Sequence, residues 1–253
     1  MLLAADNISG VNPAVGQAME KLDPGPIQDL AKRCEAAGAE FIDINPGFLG
    51  ARKLDRMAFL VEAVQEVTSK RIILDSPDAG VLSAGLSVCK DPPIINALTA
   101  EERKINEILP LAAAHSSGLV VLLLDDRSFA PFAMEEKIAL ALELSDAAVA
   151  AGLRLEDLIF DPLMPNISWH DAVPRVAECV KTVRLLSSGA VFQESVRTMI
   201  GLSNLRSGHR ARVPFDMERT CFNALAGAGL SIVLADVLNR EFMEAYRFVS
   251  QLV

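Results

Sequence analysis

Arg71-Ile72-Ile73-Leu74-Asp75-Ser76 is followed, after a short amphipathic stretch, by Pro93-Ile94-Ile95-Asn96. Each apolar run closes on one polar group. Continuous apolar runs of this length suit parallel strands buried on both faces, whereas a half-exposed strand would alternate. Asp75 and Asn96 are therefore expected side by side at the carboxyl ends of neighbouring strands, the rim on which α/β barrels build their sites.

The same unit recurs along the chain. Leu2–Asp6, Phe41–Asn45, Leu119–Leu124, Leu158–Phe160, Thr198–Leu202 and Leu230–Ala235 read as further strands. Helical faces lie between them. Ile27, Leu30, Ala31 and Cys34 form one, closed by Gly38, and Met57, Leu60, Val61 and Val64 form another. Further helices are expected over 101–115, 135–151, 170–186, 218–228 and 241–253, and a loop through Pro13. Eight strands alternating with helices predict a single (β/α)8 TIM barrel spanning residues 1–253. A doubly wound open sheet is the other arrangement, but no Gly-x-Gly-x-x-Gly turn follows the first strand.

Composition narrows the function. A net charge of −9, without a basic stripe, argues against a nucleic-acid partner. No apolar run reaches the ~18–20 residues of a membrane span, and the opening Met1–Asp6 lacks the basic start of a signal peptide. Cys34, Cys89, Cys179 and Cys221 are scattered without a Cys-x-x-Cys, which suggests reduced thiols in a cytoplasmic protein. Cys34, on an apolar helical face, reads as a buried thiol.

The strand ends carry the chemistry. In order they read Asp6 or Asn7, Asp43 or Asn45, Asp75, Asn96, Asp125, Asp161, Asn204 and Asp236, all Asp or Asn. Such residues also form turns and cap helices, and for Asp125, Asp126 and Asp236 that reading has at least equal weight. Asp75, Asn96 and Asp161 directly follow apolar runs and should point into the barrel mouth. Buried carboxylates need partners, and a ligand with several N–H donors supplies them. A metal site is not expected, since none of the three histidines stands at ligand spacing from another. No Gly-rich loop with a following Lys offers a phosphate cradle. Gly201-Leu202-Ser203-Asn204-Leu205 lacks the second Gly of a nucleophile elbow. A pterin fits, because its 2-amino group and N3–H present two donors to one carboxylate, much as a guanidinium does.

Ile42-Asp43-Ile44-Asn45, Leu74-Asp75-Ser76, Ile95-Asn96, Asp161-Pro162-Leu163 and Gly201-Leu202-Ser203-Asn204 resemble the strand-end motifs of the pterin-binding methyltransferases. Within them the chain is most similar to methyltetrahydrofolate:corrinoid protein methyltransferases. The resemblance implies a barrel that holds tetrahydrofolate or methyltetrahydrofolate by its pterin. Asp75, Asn96 and Asp161 would bond the ring, with Asp161 on the 2-amino/N3–H edge. Asn204 would lie by N5 and act in catalysis. Asp43, Asn45, Ser203 and Asp236 are further candidates at the rim. It also implies methyl exchange with a corrinoid, and a homodimer.

Two departures from the family pattern stand out. The first strand closes on Asp6-Asn7-Ile8-Ser9 instead of the family's Glu-Arg-Ile-Asn or Glu-Asn-Ile-Asn. The loop Leu205-Arg206-Ser207-Gly208-His209-Arg210-Ala211-Arg212 is more basic than usual. Arg210 or Arg212 in it can take the place of a family arginine and meet a folate tail or a corrinoid protein; a solvated loop is the plain alternative. An Asp-x-His-x-x-Gly corrinoid motif is absent, since His115, His170 and His209 follow Ala113, Ser168 and Ser207 at that spacing. The corrinoid is therefore expected on a partner protein. Two other readings stay open: a dihydropteroate synthase-like enzyme, and a non-catalytic folate-binding subunit.

Overall fold

In the computed structural model, which describes residues 1–47, 54–209 and 213–252, eight parallel strands close into one barrel in sequence order. They are β1 (Leu2–Ser9), β2 (Phe41–Asn45), β3 (Arg71–Asp75), β4 (Ile94–Leu98), β5 (Gly118–Leu122), β6 (Leu158–Asp161), β7 (Arg197–Gly201) and β8 (Ile232–Ala235). The helices packed outside them are α1 (Pro13–Lys21), α2 (Gly25–Ala37), α3 (Asp55–Gln65), α4 (Ala79–Leu86), α5 (Glu102–Ala114), α6 (Met134–Ala150), α7 (Ala172–Ser187), α8 (Phe215–Ala226) and α9 (Arg240–Val249). None of them is long and apolar enough to cross a membrane.

The apolar runs form strands because both faces are buried. One face packs on the helices. The other fills the barrel with Ala4, Phe41, Ile73, Ile94, Val120, Ile159, Met199 and Ile232, one from each strand. Below this ring Arg71 closes the amino end, donating from Nε and Nη2 to the carbonyls of Pro92 and Pro93. Two residues further up each strand, the next inward position opens into the mouth. Asp75 and Asn96 are register partners there, as the apolar runs predicted.

Several boundaries differ from the sequence reading. Residues 13–21 form α1, a helix that reading left unassigned; Asn12 caps it through the Ala14 amide at 3.1 Å and Pro13 opens it. β1 continues past Asp6 to Ser9 and β4 past Asn96 to Leu98, each through a register shift against its neighbour. β5 stops at Leu122, so Asp125 is not a rim residue of that strand. Asp125 instead folds a turn, its Oδ1 accepting from the amides of Arg127 and Phe129 at 2.9 and 2.8 Å. Asp126 pairs with Arg127 on the surface. β7 ends at Gly201, and Ser203 and Asn204 belong to a 3-10 turn over Leu202–Arg206.

Candidate active site

The mouth holds a cavity of about 510 Å³. Its floor and walls are the inward positions above the apolar ring: Asp6, Asp43, Asn45, Asp75, Asn96, Leu122, Asp161, Gly201, Leu234 and Asp236. Ser203 and Asn204 overhang it from the 3-10 turn. The structure thus brings together Asp43, Asn45, Asp75, Asn96, Asp161, Ser203, Asn204 and Asp236, and leaves Asp125 outside the cavity. Arg210 and Arg212 lie outside the described residues.

The carboxylates sit deep. Asp43 is 2% exposed, and among the described residues its Oδ1 has no hydrogen-bond partner. Burial pushes its carboxyl well above the usual range; the neighbouring Asp75 and Asp6 add to this, and the Asn96 side chain opposes it. Burial likewise raises Asp75 to about 6, against a hydrogen bond from Asn45. That bond runs from Asn45 Nδ2 to Asp75 Oδ2 at 2.8 Å, while Asn45 Oδ1 accepts from the Gly47 amide at 2.8 Å. Asn45 therefore orients Asp75 and fastens the chain that leaves β2.

Asp161 is 6% exposed and is raised to about 7, again chiefly by burial. The Leu163 amide donates to its Oδ1 at 2.8 Å, the Gly201 amide also bonds it, and the charge of Lys137 opposes the rise. Leu163, which donates the first of these bonds, holds φ at +61°, uncommon for a residue with a Cβ. A carboxylate held between two backbone amides and facing a polar cavity is pre-set to accept from a donor-rich edge.

Asp236 lines the cavity but is engaged, accepting from Asn7 Nδ2 at 2.6 Å and from the Leu238 amide at 3.0 Å. Since Asn7 Oδ1 accepts from the Val237 amide at 3.1 Å, these groups clip β1 to β8. Asn204 is solvent-exposed, with its turn held by Asn166, whose Nδ2 donates to the carbonyls of Asn204 and Ser207 at 3.2 and 3.0 Å. A Cβ at Gly201 would stand 3.2 Å from Asn204 Nδ2, so the glycine leaves room for that carboxamide. Arg206 and Glu218 anchor the same turn to α8 through a buried ion pair at 3.3 Å.

The sequence reading missed Leu122, Leu163, Gly201, Leu234 and Ser207 as lining residues. Leu122, Gly201 and Leu234 lie two positions beyond Val120, Met199 and Ile232, so strict strand alternation identifies them. They give the polar mouth apolar patches, as a flat heterocycle with polar edges requires. Among the described residues no group of three or more His, Cys, Asp or Glu side chains is arranged to hold a metal ion.

Residues 15–233 match the family model for pterin-binding enzymes. Methylcorrinoid:tetrahydrofolate methyltransferase of Eubacterium limosum is 25% identical over 248 residues, covering 97% of this chain and 88% of that protein. Methionine synthase of Mycobacterium leprae is 26% identical over 186 residues, which are 71% of this chain and 15% of that much longer protein. Among solved structures, the Yersinia pestis dihydropteroate synthase with a sulfonamide drug superposes with a TM-score of 0.70 at 18% identity, covering 100% of this chain and 93% of that one. The 7,8-dihydropteroate synthase of Vibrio fischeri ES114 gives 0.69 at 17% identity, covering 99% and 92%. These two likenesses concern the fold.

Proposed function

The chain belongs to the pterin-binding enzyme family, and on that premise we propose that it moves a methyl group between N5 of tetrahydrofolate and the cobalt of a corrinoid carried by a partner protein. The observation that carries this reading is the ring of buried acceptors, in which Asp161 and the unpartnered Asp43 Oδ1 face a ligand-sized cavity. Buried acceptors of this kind call for a ligand rich in N–H donors. The likeness along 97% of the chain to a protein named for methylcorrinoid and tetrahydrofolate supports the same choice.

In this reading Asp161 accepts from the 2-amino and N3–H groups of the pterin, and Asp75 and Asn96 bond the rest of its polar edge. Leu122 and Leu234 lie against the ring faces. The corrinoid, on its own protein, supplies the cobalt that gives or takes the methyl. Methyl departure from N5 leaves an amine that must gain a proton, and methyl arrival requires that a proton leave. Asn204 bonds N5 as that charge changes, so its contribution falls in the transition state. Asp75, raised to about 6, can keep a proton within the network near neutral pH. Asp43, Asn45, Ser203 and Asp236 support the ring of acceptors. Arg210 and Arg212 are assigned to the folate tail or the partner, and a homodimer belongs to the same reading.

A dihydropteroate synthase-like reaction displaces pyrophosphate and calls for cations at the mouth. Among the described residues that line the cavity none is Lys or Arg, which favours methyl transfer. A purely folate-binding subunit would need neither N5 contact nor a proton store.

The test is anaerobic. The protein is mixed with cob(I)alamin and methyltetrahydrofolate, and loss of the Co(I) absorbance is followed; methylcobalamin with tetrahydrofolate is the reverse assay. Turnover in either direction is expected. Folate binding without turnover, even with a cognate corrinoid protein, would reduce the chain to a binding subunit. No folate binding at all would overturn the pterin reading.

A further inference from the structure

Lys137 stands on α6 with its side chain turned into the protein, 2% exposed. Its Nζ donates to the carbonyl of Pro162 at 3.0 Å, and among the described residues it makes no other hydrogen bond and no ion pair. A buried ammonium bonded to a single carbonyl costs several kcal/mol unless a negative charge faces it. Four ionisable groups surround it: Asp161 from β6, and Arg175, Glu178 and Cys179 from α7. Glu178 is taken by Lys181 Nζ at 2.7 Å and by the Met134 amide at 3.0 Å. Cys179 is fully buried, its thiol pushed up to about 12, and so is neutral. Arg175 is directed to Asp171 Oδ2 at 2.7 Å and to the Ala130 carbonyl at 3.1 Å. Asp161 is the carboxylate of the four that no other cation engages, and it sits one residue from the carbonyl that Lys137 holds.

We propose that Lys137 is a positioning residue for Asp161: it ties down the Pro162 carbonyl and places a positive charge behind the mouth, so that the strand-six carboxylate is presented ionised and in place. The assignment deepens the pterin reading, on which its consequence for folate rests, but the electrostatic link exists without any ligand. Asp75 faces Asp161 from across the mouth and acts the other way, raising it. Lys137 is the counterweight that keeps a carboxylate, rather than a neutral acid, available near neutral pH.

The test uses the ligand-free protein labelled with carbon-13 at the aspartate carboxyls, with the Asp161 signal assigned through Asp161→Asn. Lys137→Met removes both charge and tether. Lys137→Gln removes the charge and keeps a donor for Pro162. Both variants are expected to move the Asp161 titration midpoint upward by about one pH unit or more. An unmoved midpoint in both overturns the proposal, and so does a wild-type midpoint in the Gln variant with a shift in Met alone, because the tether would then suffice. If Lys137→Met does not fold, Lys137→Gln decides. The second readout is methyltetrahydrofolate affinity against pH. A one-unit rise lowers the ionised fraction at neutral pH about fivefold, and that loss should vanish toward pH 9. A merely structural defect weakens binding equally at every pH. Wild-type protein that binds no folate would overturn the pterin reading and leave the carbon-13 result standing.

Discussion

Asn45 and Asp75 form the one side chain to side chain hydrogen bond that joins β2 to β3 at the mouth among the described residues, 2.8 Å from Nδ2 to Oδ2. This bond holds Asp75 below where burial alone would put it. Asn45→Ala should therefore raise Asp75 above about 6 and move the acid limb of the activity profile upward by about one pH unit, the size expected for one charge-assisted bond. The check is kcat/KM against pH. A profile that falls uniformly without shifting would mean that Asn45 serves only the Gly47 loop.

Asp161 carries the pterin edge in the proposed function, and its titration sets when binding is possible. With a midpoint of about 7 in the free protein, folate affinity should decline as pH falls through that value, because a protonated acid accepts poorly. Asp161→Asn should weaken binding about 10- to 100-fold at pH 8, from the loss of charge-assisted bonds. It should also remove the pH dependence. Calorimetric titration measures both, and unchanged affinity would remove Asp161 from the pterin edge.

Asn204 should behave differently. Asn204→Ala is expected to lower turnover on the order of 100-fold, as loss of one transition-state donor does, while folate affinity stays within a few-fold. Gly201→Ala tests the same group from the other side, since its Cβ would crowd Asn204 Nδ2 at 3.2 Å. A lower kcat with little change in folate affinity is expected. Binding and rate falling by one common factor would mean that Asn204 only holds the ring.

The acid cluster predicts an unusual stability profile. Asp75 and Asp161 titrate at about 6 and about 7, and Asp43 is also raised. The folded state therefore holds protons that the unfolded chain releases near pH 4, and stability falls as pH rises from about 4 to about 7. Ligand-free Tm should be higher near pH 5.5 than near pH 8. Surface acids with lowered values, such as Asp157 and Asp171, oppose this only below their ordinary range. Asp43→Asn should raise Tm near pH 8 by several degrees, at about 2–4 °C per kcal/mol recovered. Scanning calorimetry across that range decides it, and a Tm that increases toward pH 8 would contradict the buried-acid account.

The sequence by itself determined the barrel and much of its mouth. Runs such as Ile72-Ile73-Leu74 are apolar on both faces, which only a covered parallel strand accommodates, and a polar residue closing such a run has nowhere to point except the open end. That logic placed Asp75, Asn96 and Asp161 correctly. It carried the fifth strand past its end, because Leu123 and Leu124 prolong an apolar run whose pairing has already stopped at Leu122, while Asp125 forms a turn, the reading given at least equal weight for it. Only the tertiary structure decided which carboxylates are engaged and which are offered. Asp236 is spent on Asn7, and Asp43 is left with an unpartnered oxygen. Lys137 came to lie behind Asp161 through its hydrogen bond from α6 to the Pro162 carbonyl, a contact no local spacing encodes. Hydrophobic patterning is a property of neighbours along the chain, whereas hydrogen-bond pairing and burial depend on groups up to 245 residues apart, such as Met1 and Tyr246.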